Sequence, residues 1–210
     1  MDVALPREVV EDIRAAAGGR SNKAVEFVKE AVDALEHGRP RDAERAAGEA
    51  KRLAPRSGAI REVLGLAHYR AGRFREALRE LQSYRRLTGR PDQNHLIADS
   101  HRALGAPAKA LGPVEEAMAA RIPEDARAEA AVVGAAALAD LGRYDEALTM
   151  LRRFHPRGGG VRPHDLRVWY VRADVLDRAG RRREAAREFG RIMEHDPDAF
   201  DVAERLAALS

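Results

Sequence analysis

Histidines, paired carboxylates and two arginine stripes are the side chains in this 210-residue sequence that could do chemistry. The seven histidines suggest metal binding. The spacing that sets two imidazoles over one helix face around a glutamate is absent. His95 and His101 fall on different faces of a helix. His155 and His164 flank a loop and could approach each other, although a surface role is the simpler reading. The sequence has no cysteine, which excludes disulfides and thiolate metal sites. The expectation is no metal and no cofactor. Gly158-Gly159-Gly160 and Gly18-Gly19-Arg20-Ser21 neither follow a strand nor lead into Gly-Lys-Ser/Thr, so neither is a phosphate loop. Glu115-Glu116 and Asp145-Glu146 lie at helix starts or on polar faces, where they complement the helix dipole. No nucleophile, base and orienting group come together, so the reading is not an enzyme.

The arginines carry a different chemistry. Arg75, Arg79 and Arg86 share one helix face, and Arg183, Arg187 and Arg191 repeat the arrangement later in the chain. A basic face of this kind meets phosphate backbones or acidic partners. Glu184 and Glu188 neutralise much of the second stripe. The first has only Glu76 and Glu80 beside it. Arginine outnumbers lysine 33 to 4, a bias that a GC-rich coding sequence produces without any function. The net charge is only +3, but it is unevenly spread: residues 52–90 carry +7, 91–150 carry −5 and 151–191 carry +7. Aromatic residues for stacking bases are scarce near the first stripe, where Phe74 and Tyr84 are better spent in a core.

The elements that must position these groups follow from periodicity. In residues 164–198, Trp169, Ala173 and Leu176 form one apolar helix face. Ala179-Gly180 ends that helix, because glycine takes the left-handed C-terminal conformation at no steric cost. Ala185, Phe189 and Ile192 set up a second helix, and Asp196-Pro197 stops it. The same plan recurs upstream. The turn glycines are Gly38, Gly72, Gly105, Gly142 and Gly180, at steps of 34, 33, 37 and 38. Each is followed by a small residue in the next helix: Ala43, Ala77, Ala110, Ala147 and Ala185. Paired helices at this period predict an all-α, right-handed α-solenoid of about five helix-turn-helix repeats. The repeats are expected over 22–56, 57–90, 91–122, 125–158 and 164–198. A helix over 6–17 precedes them and a capping helix over 199–209 closes a single domain. Pro113 is expected to shorten or kink its helix. Residues 156–160 read as a flexible insertion.

These units resemble the tetratricopeptide repeat family, whose pattern sets a bulky aromatic and a small residue in the first helix, then a small residue, an aromatic and a proline in and after the second. Trp169, Ala173, Ala185, Phe189 and Pro197 match it throughout, and Phe27, Ala31, Ala43 and Pro55 match all but the second aromatic. The third unit, with Leu104-Gly105 and Ala110, matches least. The resemblance implies a non-enzymatic scaffold that receives a protein or peptide segment in a groove lined by the first helices. Carried over residue by residue, the groove would present Val28, Val32, Glu62, Leu66, Tyr69, Arg70, His95, Asp99, Arg102, Tyr170, Asp174 and Arg178. Tyr69 and Tyr170 are the expected hot spots, being amphipathic. Family members that clamp a chaperone's terminal carboxylate use lysine and asparagine where this chain has Val28 and Val32, so that ligand class is rejected. The apolar patch at Val28, Val32 and Leu66 is open to a partner or else covered by Val9, Val10 and Ile13 of the first helix. The alternative function is a nucleic-acid or ribonucleoprotein-associated repeat protein acting through the arginine faces. Self-association through the oppositely charged blocks is a third reading. No apolar run reaches the roughly 20 residues that cross a bilayer, and the N-terminal stretch lacks the blocks of a signal peptide, so the expected setting is cytoplasmic.

Overall fold

A computed structural model describes residues 3–154 and 160–209 of the chain. Among them are twelve α-helices and no strand. Arg7–Ala17 forms α1, and a short 3-10 turn leads into α2 (Ser21–Glu36). Then follow α3 (Pro40–Leu53), α4 (Gly58–Arg70), α5 (Phe74–Thr88) and α6 (Asn94–Ala103). The later helices are α7 (Pro107–Ala119), α8 (Glu124–Asp140), α9 (Tyr144–Leu151), α10 (Pro163–Arg178), α11 (Arg182–His195) and α12 (Val202–Leu209). The architecture is the all-α helix-pair arrangement of an α-solenoid. No helix among the described residues is long and apolar enough to cross a membrane.

The turns form for the local reason read from the sequence. Gly38, Gly72, Gly105, Gly142 and Gly180 all have φ between 66° and 75°. That left-handed region is open to glycine and strained for other residues. Beyond each turn the paired helices close on small side chains. Ala31, Ala43, Ala77, Ala110, Ala147, Ala173 and Ala185 are all fully buried. Gly65 lets α4 and α5 meet, since a Cβ there would stand 2.7 Å from Leu81.

The chain divides into two compact units, residues 1–104 and 105–210. The boundary falls in the turn of the third repeat, the unit with the fewest family positions filled. In the first unit, α1 packs on both α2 and α4. Ile13 joins Val28, Ala24, Ala59 and Ile60 in one buried cluster, with Val9, Val32 and Val63 against it. In the second unit, Trp169, Phe189, Ile192, Leu138, Leu151 and Val202 share a core.

Three local expectations change. First, α7 runs through Pro113 to Ala119 without ending. The missing N–H costs one helical hydrogen bond, but Gly112 removes the side chain that proline would crowd. Ala110 and Val114, both fully buried, hold the helix on either side. Second, the sequence suggests a helix over 144–155, but α9 stops at Leu151, and Phe154 turns back to be buried, its N–H donating to the Leu151 carbonyl at 3.1 Å. Third, the closing helix begins at Val202 because Phe200 takes φ 55°, a left-handed conformation that breaks the helix before it. The glycine insertion and His155 lie outside the described residues, Gly160 excepted.

Candidate functional site

The groove positions of the first unit lie on α2, α4 and α6, which are neighbours in space. At the α2 end the groove is filled. Val28 has no exposure and Val32 packs on the same cluster as Ile13. Of the two readings expected for this patch, the structure thus carries cover by α1 at Val28, with Val32 half-buried beside it. Apolar side chains on the two helices gain more from each other than from water. A polar latch fixes the arrangement. The Asp12 carboxylate accepts from the Ser57 hydroxyl, from Ala59 N–H at 3.1 Å and from Gly58 N–H at 3.4 Å. It thus satisfies donors at the start of α4 that a helix leaves without partners.

Beyond α1, the groove side chains are half-exposed, Arg70 more fully so, and tied laterally. Tyr69 donates its hydroxyl hydrogen to Asp99 at 2.5 Å, and Arg102 donates to the other Asp99 oxygen at 2.8 Å. Arg70 reaches the Leu35 carbonyl on α2 at 2.8 Å. Gln93 donates to Glu62 at 2.6 Å. Leu66 is half-buried between two apolar clusters. The His95 ring faces the Asp92 carbonyl at 3.1 Å. Glu62, Leu66, Tyr69, Arg70, His95, Asp99 and Arg102 thus stand on α4 and α6 as one mixed surface.

Burial pushes the Glu62 carboxyl up, helped by Asp92, against the lowering effects of the Gln93 hydrogen bond and Arg90. Folding therefore favours the protonated form. The folded state binds more protons than the unfolded one between the ordinary and the raised value, so stability falls as pH rises through that window. Glu62→Gln keeps an acceptor for Gln93 and is expected to melt higher than the wild type at pH 7. The difference should vanish near pH 4, below the ordinary carboxylate value of about 4.3. Calorimetric melts across this range check it, and a constant difference would contradict it.

In the second unit the groove positions lie on α8 and α10, and the same lateral tying appears. Arg178 meets Asp140 at 3.1 Å and Arg167 meets Glu129 at 2.9 Å. Arg205 of α12 donates to Asp174 at 2.8 Å and to Asp177 at 3.2 Å. Tyr170 donates to Asp201 at 2.6 Å, and its ring lies 4.8 Å from Phe200 and 5.7 Å from Phe189. The two expected hot-spot tyrosines are therefore both already bonded to an aspartate beyond the next helix. In the sequence, Asp201 and Arg205 are only polar residues of the segment expected to cap the chain. Nothing local marks them as partners of α10.

The arginine faces differ from each other. Arg75, Arg79 and Arg86 are exposed on α5. Arg86 donates to Ser83 at 2.9 Å, and Arg75 and Arg79 make no ion pair among the described residues. Arg183 and Arg187 are also exposed, but Arg191 stacks 3.7 Å over the Trp169 ring. No group of three or more His, Asp or Glu side chains that could hold a metal ion occurs among the described residues.

Two tetratricopeptide repeat family models match the chain, over residues 28–92 and 96–197. Among solved structures, a thermophilic TPR protein from Thermus thermophilus is 17% identical with a TM-score of 0.68, the match covering 89% of this chain and 98% of that one. YrrB, described as a TPR protein with an unusual peptide-binding site, is 17% identical with a TM-score of 0.59, covering 93% and 97%. The apo quorum sensor NprR from B. thuringiensis is 12% identical with a TM-score of 0.70, covering 95% of this chain and 62% of that one. At these identities the likeness is one of fold. No curated protein sequence matches the chain.

Proposed function

Since the chain belongs to the tetratricopeptide repeat family, we propose that it is a non-enzymatic scaffold that holds a protein segment against the α4–α6 face. One observation carries this reading: the half-exposed side chains of that face are fixed before any partner arrives. Asp99 holds Tyr69 and Arg102, and Leu35 holds Arg70. Binding then costs little side-chain ordering, which is where a preorganised surface gains affinity. Leu66 supplies an apolar seat. Arg70, Arg102 and His95 supply donors, and Asp99 and Glu62 supply acceptors. The face suits an extended segment with one apolar side chain flanked by polar groups of both signs. The α2 end is occupied by α1, so the partner engages from α4 onward. The likeness to a TPR protein with a peptide-binding site supports the class of ligand and not its sequence.

A random peptide-display library selected on the protein tests this. Enriched peptides should bind at least about tenfold more weakly to Tyr69→Ala/Arg102→Ala, as hot-spot truncation predicts. They should keep their affinity within about twofold for Arg75→Ala/Arg79→Ala, which lies on another face. Loss in the second variant with retention in the first would overturn the reading in favour of the basic face.

A further inference from the structure

One cleft of the second unit is used by nothing described above. It lies between α7 and α9 and has a volume of about 590 Å³. Val114, Leu138, Met118 and Met150 supply its apolar lining. Behind two of these side chains α8 packs closely at Gly134, where a Cβ would stand 2.7 Å from Met150 Sδ and 2.7 Å from Val114 Cγ1. Glu115, Asp145 and Glu146 rim the opening, with Arg153 at one side. Arg143 holds both Glu146 oxygens at 2.7 Å. The Asp145 side chain, by contrast, is 99% exposed and meets Arg181 only at 3.9 Å. Asp145 therefore leaves a weakly paired negative charge at the rim of an apolar hole, beside Glu115, whose charge Arg143 feels.

The complementary surface is on the same chain. Leu87, in the last turn of α5, is 48% exposed. Arg86 adjoins it, and Arg75 and Arg79 lie exposed on the same helix. The other exposed large apolar residues among those described have a local setting. Leu104 and Leu141 sit in the tight turns before Gly105 and Gly142, and Phe200 leans on Tyr170. The whole block 52–90 carries +7, and the block 91–150 that holds most of the cleft carries −5.

We propose that the α7–α9 cleft receives the α5 end of a second copy of this chain, with Leu87 between Met118 and Met150 and the α5 arginines against Glu115 and Asp145. The two patches are different, so the contact is heterologous. Each added copy still offers a free cleft and a free α5 end, and assembly runs head to tail. Its ionic part weakens with salt. The contact uses none of the α4–α6 groove residues and is independent of the scaffold reading.

Sedimentation velocity of the full chain tests it. The weight-average sedimentation coefficient of the wild type should rise with protein concentration and fall back at high salt. Leu87→Asp should associate at least about tenfold more weakly, the loss expected for one unburied leucine side chain, and Glu115→Lys/Asp145→Lys about as much, because it sets like charges against the α5 arginines. The substituted side chains are exposed or at the cleft rim, so circular dichroism should be unchanged. Thr149→Arg, an exposed position in the cleft, serves as a second variant if the rim reversal weakens the fold. Mixed in equal amounts, Leu87→Asp and the rim variant retain one intact interface between them and should form a 1:1 dimer and nothing larger. A wild type that stays monomeric up to about 1 mM, association that survives in both single-site variants, or a mixture that fails to dimerise would each overturn the proposal.

Discussion

Ile13→Asp is expected to release α1 from the groove and destabilise the first unit by about 3 kcal/mol or more. Ile13 has no exposure and sits among Val28, Ala24, Ala59 and Ile60. An unpaired carboxylate there must either stay buried without a partner or carry the helix out into water. Leaving is the cheaper course, because α1 is a short helix held chiefly by this face and by the Asp12 latch at the start of α4. Hydrogen exchange should then show the amides of residues 7–17 losing protection while α8 and α10 keep theirs. A dye that reports exposed apolar surface should gain fluorescence as Val28 and Val32 are uncovered. Ile13→Val, which removes only one methylene, should cost about 0.5–1.5 kcal/mol and leave α1 docked. Unchanged protection of residues 7–17 in Ile13→Asp would show that α1 is not held by this contact. The result also bears on function, since releasing α1 would extend the available groove to α2.

The second large effect is at Trp169. It is the sole tryptophan, 2% exposed, in the core of the second unit. Arg191 covers its face at 3.7 Å, and the His195 ring lies 5.4 Å away. Trp169→Ala should cost about 3–5 kcal/mol, from lost transfer free energy and from a cavity that α10 and α11 cannot close. For a chain of this size each kcal/mol lowers the melting temperature by roughly 2–4 °C. Arg191→Ala removes only the stacked cation and should cost about 0.5–1 kcal/mol. Urea unfolding followed by far-UV circular dichroism separates the two, since the fluorophore is lost in the first variant. A Trp169→Ala cost below about 1 kcal/mol would mean that the core repacks around the gap.

Much of the fold was legible because its causes are local. A left-handed residue is needed where one helix reverses into the next, and glycine supplies it at Gly38, Gly72, Gly105, Gly142 and Gly180. Small residues are needed where paired helices cross, and the alanines fall in phase with those glycines. Large side chains fill the remaining space, as Trp169 and Phe189 do. Each of these rules acts within a few residues along the chain, so period and residue type determined the helices, the turns and the pairing.

The candidate site was legible only as a set of positions. Whether a groove position is open, filled or bonded depends on residues far away in sequence. Val28 reads as a groove residue, yet α1 folds back over it. Tyr69 and Tyr170 read as free amphipathic anchors, yet their hydroxyls are held by Asp99 and Asp201, 30 and 31 residues further on. Pro113 reads as a residue that shortens or kinks its helix, yet α7 continues past it to Ala119, with Ala110 and Val114 buried on either side. The acid-rimmed cleft has no sequence signature, because it is the space between α7 and α9 that Gly134 allows Met150 and Val114 to define. The sequence by itself determined which segments are helical and where they turn, since hydrogen bonding along a helix and the φ of a glycine are local properties. Only the tertiary structure decided which polar groups find each other across helices and which apolar faces stay uncovered, since those are set by packing between residues that the chain itself keeps apart.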